Sequence, residues 1–165
     1  MNDALRELIR HKNWATLRLI DHLRILPAEQ LDAAGNGAFG TIRQTLAHLV
    51  RSEEGYFAYL TGERPSPPLG EDPLSLGELA EGIARLGPGW ERLAVDDAVA
   101  GREIVTRDGW RTIGVVPLAQ AIHHADEHRA QVLAMLGMRG FAVPDLGVWD
   151  FAIADGHMVE VSSSS

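Results

Sequence analysis

Four stretches of this chain repeat apolar side chains at steps of three and four, each bounded by a cap, a glycine or a proline, and this leaves little but a helical fold. The first runs from about Asp3 to Leu26, carries Leu5, Leu8, Ile9, Leu19, Ile20 and Leu23, and is closed by Pro27. Gly35, Gly37 and Gly40 mark a loose connection to the second, which opens on Thr41-Ile42-Arg43-Gln44. In such a capping box the threonine oxygen and the glutamine side chain satisfy each other's free amides. Its stripe is Ile42, Leu46, Leu49, Val50, Phe57 and Leu60, and Gly62 ends it. Pro65, Pro67, Pro68 and Pro73 make the next segment a loop, because each removes a donor and restricts its neighbour. A second capping box, Ser75-Leu76-Gly77-Glu78, begins the third helix, whose seam is Leu76, Leu79, Ile83, Leu86, Trp90 and Leu93. Gly87-Pro88-Gly89 predicts a kink or break in it. Arg102 to Arg107 and Trp110 to Val115 flank Asp108-Gly109, the pairing of a tight β-hairpin. Pro117 suits the first turn of a fourth helix that runs to about Leu136, before Gly137.

With 165 residues, no internal repeat and no second core, the pattern predicts an all-α fold. It is an antiparallel four-helix bundle with a small β-hairpin inserted before the last helix. One domain is expected over residues 1–160, followed by a disordered tail at 161–165. Pro144, Trp149 and Phe151 are expected to pack the C-terminal segment onto the bundle. No apolar run approaches the roughly 20 residues needed to cross a bilayer. The first residues lack the basic segment and apolar core of a signal peptide. The chain has no cysteine, which excludes disulfides, thiolate metal sites and a cysteine nucleophile, and fits a cytoplasmic location. A net charge of -8 without a basic stripe opposes nucleic-acid binding.

Of the seven histidines, His11, His22, His123 and His157 stand in no motif and read as surface or capped residues. His124 and His128 are four apart, so on a helix both rings project from one face and can converge on one metal ion. On a helical wheel Leu118, Ala121, Ile122, Ala125, Val132, Leu133 and Leu136 form the apolar face, and His124, His128 and Gln131 lie along its margin. In the second helix His48 lies off the stripe beside Thr45, Ser52, Gly55 and Tyr59, mostly small residues that leave room for a cleft. Glu53 and Arg129 break the apolar stripes of the second and fourth helices. A buried lone charge is expensive, so the two are expected to pair across the bundle and set the register of the histidine-bearing helices.

Thr45-Leu46-Ala47-His48-Leu49-Val50, followed by Glu53 and Tyr56, resembles the second helix of DinB/YfiT-like proteins. His124-Ala125-Asp126-Glu127-His128-Arg129-Ala130-Gln131 resembles their fourth-helix signature, H-x-x-x-H-R-x-Q. Trp14, Pro27 to Glu29 and Trp149-Asp150 also fit, so the resemblance spans nearly the whole chain. It implies a four-helix bundle, commonly dimeric, with His48, His124 and His128 as ligands of one divalent metal ion, zinc or nickel foremost. Members of known activity resemble thiol-dependent enzymes: S-transferases using bacillithiol or mycothiol, and a mycothiol-dependent isomerase.

Three neutral nitrogens leave a zinc-like ion an open position for water or a thiol, and a metal there favours the nucleophilic thiolate. The expected function is therefore metal-dependent activation of a low-molecular-weight thiol against a small electrophile, of S-transferase or isomerase type. Tyr56, Tyr59 and Arg129 are candidate orienting groups. Two alternatives remain. His124-Ala125-Asp126-Glu127-His128 also reads H-x-x-E-H, which would make Glu127 the base of a metal-dependent hydrolase acting on a small substrate. The chain is otherwise a non-catalytic metal- or ligand-binding bundle.

Overall fold

The computed structural model describes residues 3–33 and 39–161. Gly35, Gly37 and the serines at 162–165, expected in a loose connection and a disordered tail, lie outside the described residues. Among the described residues there are four long helices: α1 (Asp3–Leu23), α3 (Ile42–Thr61), α4 (Leu76–Ala94) and α6 (Val115–Met138). Three short ones join them: α2 (Ala28–Asp32), α5 (Asp97–Gly101) and α7 (Val148–Ala154). Two strands, β1 (Glu103–Val105) and β2 (Arg111–Ile113), form an antiparallel hairpin ahead of α6. No described helix is long and apolar enough to cross a membrane.

Both capping boxes form. Thr41 accepts the Gln44 amide at 3.2 Å while Gln44 accepts the Thr41 amide, and Ser75 and Glu78 do the same at the start of α4. Helix α1 stops three residues short of Leu26. There the amides of Arg24, Ile25 and Leu26 bond three residues back, tightening the chain ahead of Pro27, which disfavours helical geometry in its predecessor. At the same end of the bundle α6 passes through Gly137 and ends at Met138, just ahead of Gly140. Gly140 takes the left-handed φ of 75° that lets Phe141 N bond Leu136 O and Gly140 N bond Gly137 O.

Helix directions follow from the two halves of the core. One apolar cluster joins Leu19 to Leu23, Ile42 to Val50, Leu79 to Ile83 and Val132 to Leu136; the other joins Ile9, Leu60, Leu86 to Trp90 and Leu118 to Ala121. The C-terminal half of α1 thus shares a layer with the N-terminal halves of α3 and α4 and the C-terminal half of α6. Helices α1 and α6 run one way and α3 and α4 the other. Helix α1 packs on α4 and α6, and α3 on α4 and α6, so α1 and α3 stand diagonally. The bundle is antiparallel along α1–α4 and α3–α6. The parallel neighbours α3 and α4 need a connection that runs the length of the bundle, and the proline-rich segment supplies it. It runs back along α3, where Glu54 takes the Leu69 amide, Arg51 reaches Gly70 O and Asp72, and Arg43 reaches Leu74 O.

Helix α4 continues through Gly87-Pro88-Gly89, so of the kink or break expected there the break does not occur. Gly89 and, two turns earlier, Gly82 serve close approach. A Cβ on Gly89 would lie 2.6 Å from Phe57 Cζ, and one on Gly82 2.9 Å from Val50 Cγ1, both on α3. The half-buried Phe57 ring packs edge-on to Trp90 at 5.4 Å, a contact it would have to give up in part to admit the Cβ. Gly89→Ala is therefore expected to lower stability by roughly 1–2 kcal/mol even after the gain in helix propensity. Gly55→Ala, whose Cβ would meet nothing within 4 Å, should raise it by about 0.5–1 kcal/mol. Paired denaturant titrations check the opposite signs.

The hairpin is shorter than expected and its turn is wider. Gly109 N bonds Thr106 O at 3.0 Å and Thr106 N bonds Trp110 O at 2.8 Å, so the turn spans Thr106 to Gly109. A two-residue hairpin turn on Asp108-Gly109 would need positive φ at Asp108, and among the described residues only glycines have it. The C-terminal segment docks on α1, with the His11 and His22 rings against Leu146 O and Ala142 O and Phe151 against Trp14. Pro144 is half-buried there, whereas Trp149 is 74% exposed and does not pack as expected.

Between the two apolar clusters lies a buried polar layer. Lys12, the one lysine of the chain, reaches across the bundle diagonal from α1 to pair with Glu53 on α3. Its ammonium also sits 4.8 Å from the Trp90 ring on α4. Arg129 on α6 donates to Lys12 O at 3.2 Å, Thr16 Oγ1 at 3.1 Å and Asp126 at 3.2 Å. Arg129 was expected to pair with Glu53, but the closer cation is Lys12, whose long stem crosses the core more easily than a guanidinium held by its own helix and α1.

Candidate metal centre

His48 projects from the second turn of α3, and His124 and His128 stand one turn apart on the facing side of α6. Because α3 and α6 pack antiparallel, the three rings meet. His124 Nε2 lies 3.1 Å from His48 Nε2 and 3.0 Å from His128 Nε2. His124 and His128 are 8% and 3% exposed, more deeply covered than a place on the margin of the apolar face suggested. Phe39 provides part of the cover, stacking on His48 at 4.0 Å and meeting His128 edge-on at 4.7 Å. The Tyr56 ring stands edge-on to His124 at 5.5 Å, and the Tyr56 hydroxyl is 3.5 Å from the Gln120 amide nitrogen.

The protons in this cluster decide what it can do. His128 Nδ1 donates to Gln131 Oε1 at 2.9 Å, a bond that in the neutral ring puts the proton on Nδ1 and the lone pair on the Nε2 that faces His124. His124 Nε2 carries at most one proton in the neutral ring, so it cannot satisfy both neighbouring nitrogens. Burial first, then the nearby charges of His128 and His48, push His124 down to about 4, and burial followed by His128 lowers His48 as well. Near pH 7 these two rings are neutral and their lone pairs available. Among the described residues His124 Nδ1 is buried without a partner, a cost of about 1–3 kcal/mol. Nitrogens about 2.0–2.1 Å from a tetrahedral ion stand roughly 3.3 Å apart. The two separations from His124 Nε2 are near that spacing, and one ligand atom from each of the three rings lies within 4.8 Å of the others, so His48, His124 and His128 can hold one divalent metal ion.

The other candidates divide. Gln131 orients His128, and Tyr56 walls the site. Tyr59 lies farther down α3, where its hydroxyl accepts the Arg107 amide at 3.4 Å. Glu53 and Arg129 belong to the buried layer, with Lys12 rather than the histidines as their shared neighbour. Glu127 is 55% exposed and lies 3.3 Å from the His123 ring, on the outer side of α6, so it does not join the triad. Phe39 and Lys12 were not foreseen. Lys12 was legible, since it falls in register with Leu5, Ile9, Leu19 and Leu23 on the apolar stripe of α1. Phe39 sits in a connection without periodicity and carried no signal.

A glutamate, aspartate and histidine (Glu7, Asp155 and His157) also come together, but Arg10 already binds the first two at 2.9 and 2.6 Å. This cluster ties α7 to α1.

The model of the DinB family matches residues 1–155. The chain belongs to the DinB family. Its fold is similar to the crystal structure of a DinB-like protein from Bacillus cereus, with a TM-score of 0.64 and 18% identity over 82% of this chain and 91% of that one. No curated protein matches the sequence. Within the DinB fold, the pairing of α3 with α6 is what turns an i, i+4 histidine pair and one distant histidine into a three-nitrogen cluster.

Proposed function

We propose that this DinB family member is a metal-dependent enzyme that activates a low-molecular-weight thiol for attack on a small electrophile, of S-transferase or isomerase type. The convergence of the His48, His124 and His128 Nε2 atoms carries this reading. A zinc or nickel ion held there by three nitrogens would keep an open position and favour the thiolate of an incoming thiol. The chain's own side chains supply the rest. Gln131 orients the His128 ring, Phe39 shields one side of the triad, and the Tyr56 ring stands edge-on to His124 with its hydroxyl near Gln120, a group able to orient a ligand. With no cysteine in the chain, any reacting sulfur comes from the ligand. The exposed position of Glu127 does not favour the hydrolase alternative.

The test is turnover of a chromogenic chloronitroarene with a panel of thiols including bacillithiol and mycothiol, using metal-loaded protein. The reading expects product that requires both thiol and metal and disappears in His124→Ala. Full metal content without thiol-dependent turnover or thiol binding would instead support a non-catalytic metal-binding bundle.

A further inference from the structure

A cavity of about 560 Å³ opens beside the second half of α3, between that helix, the proline-rich segment and the hairpin turn. Three arginines line it, Arg51, Arg64 and Arg107, against one acid, Glu54. Glu54 is already taken by Arg85 at 2.7 Å and by the Leu69 amide. Arg51 is spent on Asp72 and Gly70 O. Arg64 and Arg107 are left with no ion pair or side-chain hydrogen bond among the described residues, although the chain carries a net charge of -8. Gly55 forms part of the wall, and the space where its Cβ would stand is empty. We infer that this cavity binds the anionic portion of a small molecule, a carboxylate or phosphate held by Arg64 and Arg107.

Guanidinium groups suit such ligands because their planar fork matches two oxygens of one anion. The cavity also bears on the histidines. His48, Gly55 and Tyr59 share one face of α3, and Gly55 lies roughly 10 Å along the helix from His48. A ligand reaching from one to the other would have its acid at the arginines and its reacting atom at the triad. That extension rests on the proposed metal-dependent function; anion binding itself does not.

Isothermal titration of inorganic phosphate and of succinate into the full-length protein, with and without bound metal, tests the inference. Saturable binding of one or both is expected whether or not metal is present, and the tighter probe assigns the ligand class. Arg64→Gln with Arg107→Gln should weaken it by about tenfold or more. Gly55→Leu should block the cavity while melting no lower than wild type. Absence of saturable binding by either probe, or equal binding in the double arginine variant, would overturn the proposal. Anion binding that survives in a chain unable to retain metal would uphold the cavity while sinking the metal-dependent reading.

Discussion

Protein purified without a metal-binding tag is expected to carry close to one equivalent of a divalent ion, and His48→Ala, His124→Ala and His128→Ala are each expected to lose it. The reason lies in the sharing of His124 Nε2 between two other ring nitrogens at 3.0 and 3.1 Å. Removing any one ring leaves two donors, too few to enclose an ion in competition with water. Gln131→Leu should have a smaller effect of the same sign, about 10–100-fold in affinity, because it frees the His128 ring without deleting a donor. Plasma mass spectrometry on the four variants and wild type reads the whole series. Wild type that stays empty after reconstitution with zinc and nickel would reduce the triad to packing.

The second large effect is expected at the centre of the bundle. Lys12→Met alone leaves the Glu53 carboxylate buried without its cation, and Glu53→Leu alone strands the ammonium. Either should cost about 3–5 kcal/mol. For a chain of this size that lowers the melting temperature by roughly 6–20 °C. The double variant should recover most of the loss, since apolar side chains of similar volume need no partner. Burial already pulls the Lys12 ammonium below its ordinary pKa, with Glu53 opposing and Arg129 adding to the fall. Arg129 keeps its own bonds to Lys12 O and Thr16, so it cannot replace the missing cation without giving these up. A double-mutant cycle by thermal and denaturant unfolding measures the coupling. Single variants within about 1 kcal/mol of wild type would show that the layer contributes little.

The polar layer also accounts for why the metal centre is held where it is. Arg129 is the residue after His128, and its anchors on α1 leave α6 little freedom to rotate or slide. On α3, Glu53 lies five residues from His48 and is tied across the diagonal to Lys12. Each histidine-bearing helix is therefore pinned to α1, and the registration of the triad depends on a helix that supplies none of its ligands.

Local chemistry was enough to place much of this molecule. The capping boxes at Thr41 and Ser75 fixed two helix starts, because a cap is a bond between residues three apart and needs no tertiary partner. Apolar periodicity located the four long helices, and the i, i+4 spacing of His124 and His128 was bound to put both rings on one face. The resemblance of the two histidine segments then marked His48 as the third ligand candidate. Helix ends were less legible. Gly137 and Gly140 are alike in sequence, and only the bonds made by Phe141 choose between them. Gly87-Pro88-Gly89 reads as a break until α3 is seen to need the space beside Gly89. The partner of Glu53 was out of reach for a related reason. Three buried charges in three helices allow more than one pairing, and local spacing does not say which helices stand diagonally or how far a lysine reaches across the core. That choice belongs to tertiary packing, where desolvation makes every buried charge answer to whichever opposite charge the fold brings nearest.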